Sequence, residues 1–159
     1  MTTRIEVQRT IRAEPSTIFN VLTDPDGHVT IDASGMLMSS SGRPATAVGD
    51  TFVIHMDREA LGDRPIGLYD VTVKILTFEK DQEIAWTVES GLLDTPLLHV
   101  YGYRLEPGAD GGTLVTSYYD WSKIDPIWIE RGLDKEFPIV PESALKATLG
   151  ILARTVQKA

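Results

Sequence analysis

The 159 residues contain no cysteine. That removes disulfides, thiolate nucleophiles and Cys-ligated zinc, and makes a reducing cytoplasm the expected setting. Cations are scarce: 15 Lys and Arg stand against 23 Asp and Glu, a formal net charge of -8. Binding through phosphates needs clustered Lys and Arg, so nucleic acid is not an expected partner. No apolar run approaches membrane-spanning length, so no stable membrane insertion is expected. The N-terminal Met1-Thr2-Thr3-Arg4-Ile5-Glu6 alternates polar and apolar residues from the start, so no targeting segment is expected there. Repeats, low-complexity tracts and linkers are also lacking. Residues 1–159 are therefore expected to form one domain, large enough to bury roughly 70% of its unfolded surface.

What is present is strongly periodic. Ile5, Val7, Arg9 and Ile11 alternate with Arg4, Glu6, Gln8 and Thr10, the pattern of a half-buried strand. Pro15 opens a short helix whose Ile18, Phe19, Val21 and Leu22 share a face, and the cluster Asp24-Pro25-Asp26-Gly27 interrupts it before a second helical piece through His28 to Asp32. After Gly35 four or five strands follow, with turn chemistry at Gly49-Asp50, Gly62-Asp63, Glu79 to Gln82 and Pro107 to Gly112. The alternation is clearest in Tyr69, Val71, Val73, Ile75 and in Ile84, Trp86, Val88, as in an antiparallel meander with one wet face. Two later strands place His99, Tyr101, Tyr103, Leu105 and Val115, Ser117, Tyr119, Trp121 on the expected inner face, which changes there from aliphatic to aromatic. Behind Pro141, Leu145, Leu149, Leu152 and Val156 recur at helical spacing, with Glu142 in the first turn and Arg154 and Lys158 toward the end. The aperiodic stretch from Asp120 to Pro138 holds Trp121, Trp128 and Phe137 and is expected to be a rim or lid.

This order resembles the START-like (SRPBCC) superfamily, in particular its bacterial polyketide cyclase/dehydrase and lipid-transport branch. The resemblance spans essentially the whole chain. It is carried by Ile11-Arg12-Ala13-Glu14-Pro15 leading into Ile18-Phe19-Asn20-Val21-Leu22-Thr23-Asp24-Pro25, by Val48-Gly49-Asp50-Thr51-Phe52, and by Gly111-Gly112-Thr113 leading to Asp120-Trp121. It implies an α+β helix-grip fold: a seven-stranded curved antiparallel sheet wrapped around a long C-terminal helix, with two short helices after the first strand. Members bind sterols, polyketides, phospholipids or other apolar compounds in a cavity between sheet and helix, and some close aromatic rings. No shared catalytic motif comes with the resemblance, so function rests on the residues themselves.

Trp86, His99, Tyr101, Tyr103, Tyr119 and Trp121 combine wide apolar faces with polar tips, which suits a mostly apolar ligand carrying a few oxygens. The alternative is that they simply fill the core. Tyr69, Met56 and Ser117 complete the expected ligand-binding set, together with Arg9, whose cation on an inward face would hold a carboxylate, phosphate or enolate. Arg9 could equally pack its stem on apolar neighbours and reach outward. His99 is the candidate for proton chemistry, with a tyrosine hydroxyl nearby to polarise a carbonyl.

His28 and Asp32, four residues apart, form either an oriented imidazole pair or a solvated cap. The acids around them do not make a calcium loop, because Gly35 stands where its terminal Glu belongs. Histidines 28, 55 and 99 are too dispersed for zinc, so neither metal nor cofactor is expected. Gly150, midway along the last helix, costs about 1 kcal/mol against Ala, so either a close approach to the backbone or simple drift accounts for it.

Three functions fit these features. One is a binder of a small apolar or aromatic molecule, polyketide- or lipid-like, acting as a monomer or homodimer. The second is a cyclase or dehydratase with His99 as base and pocket tyrosines as donors. The third is an interaction module that docks another protein through residues 120–138 and would show a filled interior.

Overall fold

The computed structural model describes residues 2–157. Lys158, which the pattern assigns to the last helix, lies outside them. Strands are β1 (Arg4–Ile11), β2 (Leu37–Ser41), β3 (Thr51–Asp57), β4 (Leu68–Glu79), β5 (Glu83–Ser90), β6 (Val100–Pro107) and β7 (Thr113–Asp120). Helices are α1 (Pro15–Thr23), α2 (Pro25–Ile31), α3 (Pro126–Glu130) and α4 (Glu142–Val156). One antiparallel sheet runs in the order β1-β7-β6-β5-β4-β3-β2, so the meander β2 to β7 is closed on one side by the first strand. The architecture is α+β with a curved seven-stranded sheet, a C-terminal helix and two short helices after the first strand.

Six strands follow Gly35 where the alternation pattern gives four or five. The strand it hides is β2, whose Leu-Met-Ser-Ser-Ser has no apolar period and whose pairing with β3 slips between Leu37 and Ser39. Only Asp24 separates α1 from α2: Pro25 occupies the first position of α2, and the Asp24 carboxylate accepts the Asp26 N–H at 3.0 Å. The two helices meet tightly at Gly27, where a Cβ would stand 2.0 Å from the Val21 carbonyl oxygen. Any side chain there would force them apart.

Inner-face residues Val7, Ile11, Ile54, Val73, Ile84 and Val115 pack with Ile18 and Leu22 of α1 and Leu149 and Leu152 of α4 into one core. Helix α4 lies mainly against β1 and β7, whereas α2 covers β2 and β3 and touches α4. Inner β4 to β6 are thus left without a helix directly upon them. Among the described residues no helix is long and apolar enough to cross a membrane.

Candidate functional site

A cavity of about 360 Å³ opens where the helices do not cover the sheet. Its floor is the inner face of β3 to β6, with Ile54, Met56, Tyr69, Val71, Val73, Trp86, Val88, Tyr101 and Tyr103. Leu22, His28 and Ile31 of α1 and α2 wall one side, and Ile139, Val140, Ala144 and Leu145 wall another. The lining is apolar apart from a few side-chain tips.

Trp86 is the centre of the floor. It stacks on Tyr101 (ring centroids 6.3 Å, interplanar angle 19°) and Tyr103 (5.9 Å, 26°), and His28 meets it edge-on at 4.7 Å. A flat apolar ligand laid on this group would extend a stack already formed.

The polar tips are uncharged. His28 is buried and its Nε2 stands 2.7 Å from the Leu22 carbonyl oxygen. A carbonyl accepts only, so Nε2 carries the proton and Nδ1 is left as an acceptor. Burial lowers the His28 pKa to about 4, against a partial rise from that hydrogen bond. His99 is 2% exposed, with Nδ1 2.6 Å from the Tyr119 hydroxyl. The Tyr119 oxygen also faces the Tyr101 hydroxyl and the Ile139 backbone N–H. The other ring nitrogen of His99, Nε2, is buried without a partner among the described residues. Burial takes the His99 pKa to about 4 and pushes Tyr101 and Tyr103 upward. The wall therefore carries two neutral imidazoles, His28 with Nδ1 left as an acceptor and His99 with Nε2 unpartnered among the described residues. An unmet buried polar group costs about 1–3 kcal/mol, which a ligand hydroxyl within reach would relieve as donor or acceptor.

Charge on the lining comes from Arg58, Arg64 and Asp32, and the Arg58 guanidinium stands close enough to the floor to act on Tyr101. Arg58 grips Asp63 through Nε (2.9 Å) and Nη2 (2.7 Å), its Nη1 meets the Met36 sulfur at 3.1 Å, and the guanidinium also bonds the Tyr69 hydroxyl. Arg64, also on the lining, pairs with Glu136 at 3.3 Å. Asp32 stands at the rim, where its carboxylate accepts backbone N–H groups of Ser34, Gly35 and Leu37. It does not contact His28; it is the cap that ends α2.

Of the residues the sequence singles out, Met56, Tyr69, Trp86, His99, Tyr101 and Tyr103 lie on this cavity. Ser117, Tyr119, Trp121 and Arg9 are not on its lining. Ser117 is buried beside Tyr103, opposite it in the β6–β7 ladder. Tyr119 is fully buried beneath Tyr101, with rings parallel at 4.3 Å, and Trp121 stacks on Phe137 at 5.9 Å. Both are core. Arg9 is exposed, and its Nη1 lies 3.6 Å from where a Gly150 Cβ would stand, outside α4. Strand parity is right for Arg9, but the helix covers that end of the sheet.

His28, Arg58 and Arg64 are additions that periodicity does not reveal, since they come from α2 and from the loop after β3. Residues 120–138 are partly structured, with Trp121 and Trp128 buried, and the Trp128 indole N–H donates to the Pro96 carbonyl at 3.2 Å.

No family model and no curated protein matches the chain. Solved structures do. Protein CV1439 from Chromobacterium violaceum is similar over 100% of both chains at 16% identity, with a TM-score of 0.66. Protein Ms6760 from Mycobacterium smegmatis is similar over 99% of this chain and 93% of its own at 12% identity, with a TM-score of 0.67. The Aha1 dimer of Colwellia psychrerythraea is similar over 98% and 97% at 17% identity, with a TM-score of 0.59. Likeness at these identities establishes the helix-grip fold and leaves function to the site.

Proposed function

We propose that this chain is a single helix-grip unit that binds a small, uncharged, largely apolar molecule, polyketide- or lipid-like, carrying one or two oxygens. The observation that carries this reading is the cavity of about 360 Å³, apolar except for neutral imidazoles, hydroxyl tips and charges already paired or capped. At the packing density of a protein interior it accommodates about 15 non-hydrogen atoms. A ligand charge held beside the two imidazoles would meet no counter-charge there, because the two arginines of the lining are already paired with Asp63 and Glu136. A ligand hydroxyl matches the unpartnered His99 Nε2 and the His28 acceptor without that cost.

Two further features support binding over the alternatives. A histidine with a pKa of about 4 is a weak base at neutral pH, which speaks against His99 as the proton acceptor of a cyclase or dehydratase. Both tryptophans of residues 120–138 are buried, which speaks against that segment as a docking patch for another protein.

The test is a matched pair of probes, 2-acetylnaphthalene and 2-naphthoate, followed by Trp fluorescence at pH 7, with native mass spectrometry of gently purified protein to find a bound small molecule. The ketone is expected to bind at least tenfold tighter than the acid. If neither binds and no molecule co-purifies, the proposal fails; if the acid binds as well as the ketone, the uncharged-ligand element fails. If His99→Ala keeps affinity for a substrate but abolishes a measured turnover, the base role takes its place.

A further inference from the structure

The outer face of the sheet carries a second constellation, independent of the cavity. His55 on β3 lies directly opposite Asp70 on β4, and its Nδ1 is 2.8 Å from the Asp70 carboxylate. Its Nε2 is 2.7 Å from the hydroxyl of Ser41, at the end of edge strand β2. All three side chains share the face opposite the buried Phe52, Ile54 and Met56. Ser41 and Asp70 are exposed and His55 is half-buried.

The order of atoms matters more than the proximity. Ionised carboxylate accepts only, so Asp70 fixes the neutral imidazole with its proton on Nδ1. Nε2 must then accept, and among the described residues the sole donor placed there is the Ser41 O–H. The hydroxyl is thereby aligned to pass its proton to a base whose tautomer is already set, which is the logic of an activated serine on any fold. A row of surface polar residues joined only for stability has no need of this order, because cross-strand polar pairs contribute just a few tenths of a kcal/mol whichever nitrogen is used.

We propose that Ser41 is a hydrolytic nucleophile on the outer face of the sheet, with His55 as its general base and Asp70 as the residue positioning His55, acting on small activated carboxylic esters. Ser41 Oγ bonds to the ester carbonyl carbon while its proton moves to His55 Nε2. The carbon–oxygen bond to the alcohol breaks, and that oxygen takes the proton. Water then attacks the acyl-serine with the same base, releasing the acid and restoring Ser41. The open face and the half-buried Val53 opposite Ser41 suit short acyl groups. Base assistance of this type contributes about 10²–10⁴-fold.

The experiment is hydrolysis of p-nitrophenyl acetate together with labelling by an alkyl fluorophosphonate, mapped by peptide mass spectrometry. The expected result is a label on Ser41 and a fall of about 100-fold in both readouts for Ser41→Ala and His55→Ala. Asp70→Asn, whose amide can donate to Nδ1 and reverse the tautomer, is expected to lower the labelling rate about tenfold, with partial recovery in Asp70→Glu. Nitrogen-15 NMR of His55 is expected to show the Nδ1–H tautomer. An unchanged ester rate in Ser41→Ala, a label spread over Ser39 and Ser40 as strongly as Ser41, or an Nε2–H tautomer for His55 would each overturn the proposal.

Discussion

Tyr101 and Tyr119 are neighbours across one ladder, stacked in parallel at 4.3 Å, yet one lines a cavity and the other is solid core. The difference lies in what covers them. Over β7 and β1 sits α4, and Tyr119, Trp121 and Phe137 pack together at that gripped end. Over β4 to β6 no helix lies flush, and the rings of Trp86, Tyr101 and Tyr103 face open volume. Aromatic residues on an inner strand face therefore do not make a binding site by themselves; the covering element decides between pocket and packing.

The sharpest contrast between the two ends is expected in acid. Both buried histidines belong to the open end, and each stays neutral in the folded state down to about pH 4. An unfolded imidazole takes up its proton near pH 6.5, so stability is complete above 6.5 and falls as pH drops toward 4. The loss is about 3 kcal/mol for each histidine, on the order of 6 kcal/mol together. The carboxylates with depressed pKa values, Asp50, Asp63, Asp94 and Asp120, act only below this window, because their ordinary pKa is 3.8. Urea midpoints measured from pH 7.5 to 4 check this, and His28→Gln or His99→Gln should halve the slope. A midpoint flat across that range would mean the histidines are solvated.

Truncation separates the ends next. Leu149→Ala removes a side chain clamped between α4 and the sheet and is expected to cost about 3–5 kcal/mol. Met56→Ala, beside a space that already exists, is expected to cost only about 1–2 kcal/mol, since fewer contacts are lost. Equal costs by chemical denaturation would show that the cavity collapses around its walls and that the two ends do not differ.

Ligand affinity gives a third contrast. Ala144 projects from the first turn of α4 onto the cavity, so Ala144→Trp fills volume rather than displacing core. Binding of 2-acetylnaphthalene is expected to weaken at least 100-fold while the unfolding midpoint shifts by less than about 1 kcal/mol. Retained affinity would place the ligand elsewhere.

How much of this the sequence disclosed follows from the same contrast. Strands with a dry and a wet side, such as β4 and β5, announce themselves through period 2, and α4 through its leucine spacing. The serine-rich β2 does not, because an edge strand with both faces polar carries no period. Parity correctly put Tyr119 and Arg9 on the inner side of their strands, and Trp121, one residue past β7, is buried against Phe137; parity is a property of one strand and coverage is a property of the assembly. His28 was visible only as a partner for Asp32; its real contacts are the Leu22 carbonyl and the Trp86 ring, set by the Gly27 close approach of α1 to α2. The Ser41, His55 and Asp70 row depends on register between three strands, and a local pattern contains no register.

Gly150 offers the smallest effect and a direct check on the gripped end. A glycine in mid-helix costs about 1 kcal/mol against alanine, which a close approach by a neighbour would justify. The nearest atom to a Cβ there is Arg9 Nη1 at 3.6 Å, an ordinary van der Waals separation and the tip of a flexible side chain. Nothing in the packing requires the missing methyl. Gly150→Ala is therefore expected to stabilise the fold by about 0.5–1 kcal/mol, read as a rise in the urea midpoint with an unchanged slope. A loss of stability instead would mean that Arg9 is held rigidly against the helix backbone, and that α4 is clamped at its middle more tightly than its contacts indicate.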